Sequence, residues 1–153
     1  ADGKHIFPIF SRPIPANIGL SPINMRSRVS ELILSAKENI FLYIQDLSDT
    51  AMLDLLDAQA QSGIDVRVCV ADNDSEDDYS SYHFQSYIME KPYLHAKAIV
   101  VDDQSLMIGS VNLSENALDH NREVSLFPPN DIQKVDTIKK LFFTDCTPQK
   151  FAK

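Results

Sequence analysis

The sequence predicts an α/β fold in which a mixed, mostly parallel sheet is flanked by helices. Three observations carry that expectation. Over residues 24–70 the apolar pattern runs helix, strand, helix, strand, an alternation that gives parallel strands covered by helices. Over residues 95–112 two short apolar runs flank an acidic turn, which reads as a hairpin. Residues 131–143 return to a helical period.

The elements follow in order. Residues 1–22 hold four of the eight prolines, Pro8, Pro13, Pro15 and Pro22. Helix is excluded there, and the stretch is expected to be an extended linker or an edge strand. Val29, Leu32, Ile33 and Ala36 form the inward face of a first helix, with Arg26, Arg28, Glu31 and Lys37 outward. Residues 40–44 make a short strand ending at Gln45-Asp46. Asp49 reads as the N-cap of a second helix with Met52, Leu55, Leu56 and Ala60 inward, closed by Gly63. Residues 64–70 alternate as a strand.

Residues 72–78, DNDSEDD, form an acidic loop. They fail as a calcium loop, lacking the glycine at the sixth position and the acid at the twelfth, which is His83. Tyr79, Tyr82, Phe84, Tyr87 and Tyr93 follow. They either line a groove that meets substrate or lipid, or pack an edge of the sheet. After the hairpin, Ser114 can cap a short helix over residues 115–118, and residues 121–127 read as a strand stopped by Pro128-Pro129. The last helix turns Ile132, Val135, Ile138 and Phe142 inward. The expected organisation is a proline-rich extension over 1–22, one domain over 23–147 and a tail over 148–153.

Composition bounds the function. The chain has 153 residues, 44% of them hydrophobic, enough for one domain with a real core. No apolar run approaches a membrane span, and no signal-peptide pattern or internal repeat is visible. The chain opens on Ala1, so it reads as processed or as an excised piece of a longer protein. A net charge of -8 argues against tight, non-specific nucleic-acid binding through a basic surface. The two cysteines make no disulfide framework; Cys69 reads as a small core residue and Cys146 lies near the terminus. No zinc pattern is present. His5, His83 and His120 have no matching partner motif and read as ordinary histidines.

The chemistry concentrates at residues 95–112, HAKAIVVDDQSLMIGSVN. Alternation puts His95 and Lys97 on one face of the first strand, and Ser110 and Asn112 on one face of the returning chain. With a turn centred near Asp103, these four are expected to converge. An imidazole, a cation, a hydroxyl and an amide are what a phosphodiester needs: a nucleophile or acid, and donors for the phosphoryl oxygens. Asp102 lies about 23 Å of extended chain from His95, so it reads as a turn residue.

The pattern H-x-K-x4-D-x6-G-S-x-N, with His95, Lys97, Asp102, Gly109, Ser110 and Asn112 in place, resembles the HKD signature of the phospholipase D superfamily. More loosely, the resemblance runs from about residue 20 to 143. It implies a phospholipase D-like α/β/α sandwich and a double displacement at phosphorus through a phosphohistidine, with no cofactor and no metal. It assigns His95 as nucleophile, Lys97 and Asn112 as ligands of the phosphoryl oxygens, and Ser110 as a further donor. Asp102 and Gly109 fall to the motif's structure. Relatives commonly carry an acid where Glu123 stands; its carboxylate would accept the Nδ1 proton of His95 and leave Nε2 to attack. Arg122 alternates to the other face and stays outside the site.

The family builds its site from two such motifs, whereas this chain has one. A second is expected from a homodimer mate or from a missing N-terminal half. The leading expectation is hydrolysis or transphosphatidylation of phospholipids, with peripheral membrane contact and no transmembrane segment. The competing ones are a homodimeric nuclease acting on DNA or RNA, and a non-catalytic binding domain. The intact His95, Lys97 and Asn112 set argues against the last.

Overall fold

The computed structural model describes residues 13–72 and 78–147. His5 and the centre of the acidic loop lie outside them. The described elements are β1 (Ile18–Ser21), α1 (Met25–Leu34), β2 (Asn39–Ile44), α2 (Thr50–Gln61), β3 (Asp65–Ala71), β4 (Gln85–Met89), β5 (Lys97–Val101), β6 (Ser105–Gly109), α3 (Glu115–Asp119), β7 (Glu123–Leu126) and α4 (Ile132–Asp145). The strands form one sheet in the order β1-β7-β6-β5-β2-β3-β4.

The layered α/β/α architecture is the one expected, but the balance of strand directions is not. Only β2 with β3 and β3 with β4 pair in parallel. The β2–β5, β5–β6, β6–β7 and β1–β7 pairs are antiparallel. A parallel pair needs a crossover, which α2 supplies between β2 and β3. After β4 the chain instead crosses back to the free edge of β2 and extends the sheet from there through a hairpin. The edge strand β1 comes from the proline-rich N-terminal stretch, so the sheet begins before residue 23.

The two faces of the sheet carry two cores. Met25, Val29 and Ile33 of α1, Met52 and Leu56 of α2, and Ala117 and Leu118 of α3 pack with Ile40, Leu42, Val68, Ile99 and Met107. On the other face, Val135 and Phe142 of α4 pack against Phe41, Tyr43, Val100 and Leu106. Phe142 stacks on Phe41 at 5.4 Å between ring centroids, and burying it contributes about 2–3 kcal/mol. Ile132, expected inward, is exposed. It is the first residue of α4, and Val135 is the first side chain of that helix to reach the core.

Several local expectations hold. Asp49 caps α2 by accepting the Met52 N–H, and Gly63 follows that helix with φ +100°. Ser114 caps α3 as expected, and the structure adds Asp131 as the cap of α4. Other features are corrections. Arg26 does not simply face solvent. It donates to Asp49 at 2.9 and 2.7 Å and to Asp119 at 2.9 and 2.6 Å, tying α1 to the start of α2 and the end of α3. Those bonds hold both carboxyls below their usual range. The cysteines also differ from expectation: Cys69 of β3 and Cys146 at the end of α4 form a disulfide across a sequence separation of 77. Sequence spacing cannot reveal this pair, because the contact exists only once α4 folds back over the sheet.

The aromatic stretch splits. Phe84 packs on Tyr79 and stacks on Tyr82, and Tyr87 is buried in β4. These pack the sheet edge, one of the two expectations. Tyr93 is exposed and belongs to the site described next.

Candidate active site

The two motif strands are joined by a tight turn. Gln104 N–H donates to the Val101 carbonyl at 3.1 Å, and the central residues Asp102 and Asp103 have φ of 54° and 56°. Aspartate tolerates this left-handed region better than most residues, and two such residues match the right-handed twist of a hairpin. The Asp102 carboxylate then reaches across to the loop after α1. It accepts the backbone N–H of Lys37 at 2.8 Å, Glu38 at 2.8 Å and Asn39 at 3.0 Å. Burial alone would raise this carboxyl, but the three amides hold it below the ordinary carboxylate range. Asp102 thus ties the closed end of the hairpin to the start of β2, at the end of β5 opposite His95.

Gly109 ends β6 where β7 comes close. A Cβ there would fall 2.5 Å from the Ser125 Cα and from the Val124 carbonyl oxygen. Those atoms are backbone and cannot step aside, so the position requires glycine.

At the open end, Lys97 is only 8% exposed. Its ammonium donates to Gln45 Oε1 at 2.8 Å and to the His95 carbonyl at 2.9 Å, and lies 3.2 Å from His95 Nδ1 and 3.3 Å from Nε2. Desolvation lowers the Lys97 pKa, and the charge of Glu123 acts the other way. Asn112 donates from Nδ2 to the same Gln45 Oε1 at 3.3 Å, and its own oxygen accepts the Asp46 N–H at 3.1 Å. His95 itself is exposed. The structure therefore gathers His95, Lys97 and Asn112 at one place, with Gln45 between them.

Ser110 and Glu123 form a second pair beside that group. The Ser110 hydroxyl donates to Glu123 and accepts the Val124 N–H at 3.1 Å. The expected Glu123–His95 hydrogen bond is not among the bonds of the described residues; Glu123 is engaged by Ser110 instead. The expected face-sharing also needs correction. The register pairs Ala98 with Ile108 and Val101 with Ser105. Continued to the open end, it sets Lys97 opposite Gly109 and puts Ser110 in phase with Ala98. A turn centred on Asp103 pairs odd residues with odd ones, so Ser110 and Asn112 do not share a strand face with His95 and Lys97. Asn112 reaches the site because the chain leaves the strand after Gly109 and runs alongside residues 46–47.

Sequence reasoning missed Gln45; Tyr93 lies in the aromatic stretch expected to line a groove or pack the sheet edge, and its place beside Gln45 appears only in the fold. Gln45 carries no motif, and its role appears only once β2 lies beside β5. Tyr93 donates no strand pattern; its hydroxyl accepts from Gln45 Nε2 at 3.2 Å. Among the described residues, no group of three His, Cys, Asp or Glu side chains could hold a metal ion. No described helix is long and apolar enough to cross a membrane.

With this geometry in view, comparison with known proteins is decisive on one point. The family model described as "Cardiolipin synthase, PLD-like domain" matches residues 29–145. The chain belongs to the phospholipase D superfamily. The match takes in the whole hairpin with His95, Lys97 and Asn112, together with Gln45 and Glu123. Among curated relatives, cardiolipin synthases of Clostridium perfringens are 30% identical over 128 residues, covering 75% of this chain and 26% of theirs. The chain therefore spans about a quarter of the length of the curated relatives it matches.

Among solved structures, the phospholipase D family member Nuc from Salmonella typhimurium superposes with a TM-score of 0.75 at 22% identity, covering 84% of this chain and 91% of that one. NucT from Helicobacter pylori gives 0.68 at 21% identity, covering 84% and 95%. At these identities the likeness shows the α/β/α fold.

Proposed function

We propose that this chain carries one half of a phosphodiesterase site that works through a phosphohistidine at His95, without metal, on phospholipid head groups. The observation that carries the reading is the gathering of His95, Lys97 and Asn112 around Gln45 at the open end of the hairpin. His95 Nε2 attacks phosphorus, and the bond to the leaving oxygen breaks as a P–N bond forms. Lys97 and Asn112 receive the charge that builds on the non-bridging oxygens. Water then attacks the phosphohistidine, giving hydrolysis; an alcohol in its place gives phosphatidyl transfer. Ser110 and Glu123 border the site as a further donor and an acid.

An in-line displacement puts nucleophile and leaving group on opposite sides of phosphorus. One imidazole cannot attack and also protonate the departing oxygen, so a second motif is needed from a homodimer mate or from another part of a longer polypeptide. In such a pair one imidazole starts neutral, to attack, and the other protonated, to donate to the leaving oxygen. Apolar Ile108, Val124 and Leu126 are exposed beside Ser110, with Ile108 paired to Leu126 and Val124 bonded to Ser110. Such a face next to an incomplete site suits the second motif-bearing unit.

The phospholipid reading is supported by the cardiolipin synthase relatives and by the acidic chain, whose charge of -8 disfavours a polyanion. The single motif favours a second reading, a homodimeric nuclease. A panel of phosphatidylglycerol, phosphatidylcholine, bis-p-nitrophenyl phosphate and single-stranded DNA separates them. Head-group release or transfer from a phospholipid is the expected result; cleavage of DNA with both phospholipids intact supports the nuclease instead.

A further inference from the structure

Gln45 stands where the two halves of the motif meet. Its backbone is fixed on both sides, with its N–H donating to Ala96 O at 3.1 Å and its carbonyl accepting Ala71 N–H at 3.2 Å. The following residue is fixed as well: Asp46 donates to the Asn112 side chain and accepts Leu113 N–H at 3.0 Å. The end of β2 is thus wedged between the His95–Lys97 segment and the Asn112–Leu113 segment.

From this fixed backbone the Gln45 amide reaches Lys97, Asn112 and Tyr93. Oε1 accepts from Lys97 Nζ at 2.8 Å and from Asn112 Nδ2 at 3.3 Å, while Nε2 donates to Tyr93 Oη at 3.2 Å. The partners decide which way the amide points. An ammonium has no acceptor, so only the oxygen can face Lys97. A neutral acceptor orients a cation without cancelling its charge. A carboxylate in the same place would neutralise the ammonium and repel an anion. The amide oxygen also fixes where the two donors lie relative to one another, because both bind the same atom.

We infer that Gln45 is a positioning residue that holds the Lys97 ammonium and the Asn112 amide together as one anion-binding pair for the phosphoryl oxygens. This rests on the phosphodiesterase reading above. Tyr93 completes the arrangement by fixing the far end of the Gln45 amide at the exposed rim of the site.

The test compares wild type with Gln45→Leu, which removes the acceptor at similar size, and Gln45→Glu, which keeps an acceptor and adds a charge. Two quantities are measured: binding of inorganic phosphate by calorimetry, and titration of the Lys97 side chain by NMR. In Gln45→Leu the charged form of Lys97 loses an acceptor, so Lys97 titrates lower and phosphate affinity falls about tenfold or more, as expected for a hydrogen bond to a charged group. In Gln45→Glu Lys97 titrates higher, yet phosphate affinity still falls. That opposite movement of the titration with the same movement of affinity is not produced by general loosening of the fold. It is read in Gln45→Glu alone if Gln45→Leu does not fold.

Phosphate binding and Lys97 titration that stay at wild-type values in a folded variant overturn the role of Gln45. A folded wild-type protein that binds no phosphate overturns the phosphodiesterase reading, and with it the anion assigned to the pair. The Lys97 titration still reports separately whether Gln45 holds the ammonium.

Discussion

Replacing Asp102 by Asn should destabilise the protein without touching chemistry. The carboxylate accepts three backbone N–H groups, two on Oδ1 and one on Oδ2. An asparagine oriented to keep the Oδ1 pair turns its NH2 toward the Lys37 N–H, donor against donor. One charge-assisted hydrogen bond is then lost outright and the other two lose their charge. A hydrogen bond to a charged group contributes about 1.5–3 kcal/mol. Asn adopts the left-handed conformation at least as readily as Asp, so no backbone penalty adds to this. The expected loss is about 2 kcal/mol, a fall of roughly 4–8 °C in Tm for a domain of this size. Asp102→Ala should cost more, since all three bonds vanish and Ala is strained at φ 54°. Urea unfolding at pH 7 measures the stability, and turnover of bis-p-nitrophenyl phosphate well below the transition measures the chemistry. An Asp102→Asn protein as stable as wild type but inactive refutes the reasoning, because the carboxylate would then act in the reaction from the end of the strand opposite His95.

Further outcomes follow from the same geometry. Turnover should survive EDTA; loss on chelation that a divalent ion restores contradicts metal-free chemistry. Reduction of Cys69–Cys146, which closes a loop across 77 residues of sequence, should lower stability by about 4 kcal/mol on the chain-entropy model, read as a shift in the urea midpoint. Asp49 and Asp102 both have depressed carboxyl pKa values when folded. Their contribution is present above the unfolded value of about 3.9 and is lost as pH falls through the lower folded values, so stability should drop below about pH 4. Arg26→Met should flatten the Asp49 part of that acid loss. Leu126→Glu on the exposed face beside Ser110 should weaken self-association in light scattering and lower turnover if a homodimer mate completes the site.

Much of the fold was legible because it rests on local patterns. The inward stripes of α1 and α2, the Asp49 cap, the turn at Asp102-Asp103 and the alternation of β3 all follow from short-range chemistry. What was hidden depends on distant partners. β4 carries aromatic and polar residues without a clean period, and it becomes a strand because β3 offers a parallel edge. The disulfide needs α4 to return over β3. Arg26 looked like a surface residue until α2 and α3 brought Asp49 and Asp119 to it. At the site, the motif named His95, Lys97 and Asn112, but simple alternation misplaced Ser110, whose hydroxyl bonds Glu123 and Val124 on β7. Gln45 has no signature in sequence, since its meaning comes from the fixed position of β2 between the two motif segments.

In the proposed reaction His95 bonds covalently to the substrate's phosphorus. Mixing the protein with a phospholipid substrate, quenching within the first turnovers and analysing the peptide that bears His95 by mass spectrometry tests it most directly. A phosphatidyl adduct on His95 is expected in wild type, and neither adduct nor turnover in His95→Ala. Turnover by His95→Ala, or rapid wild-type turnover with His95 unmodified at every quench time, would contradict it.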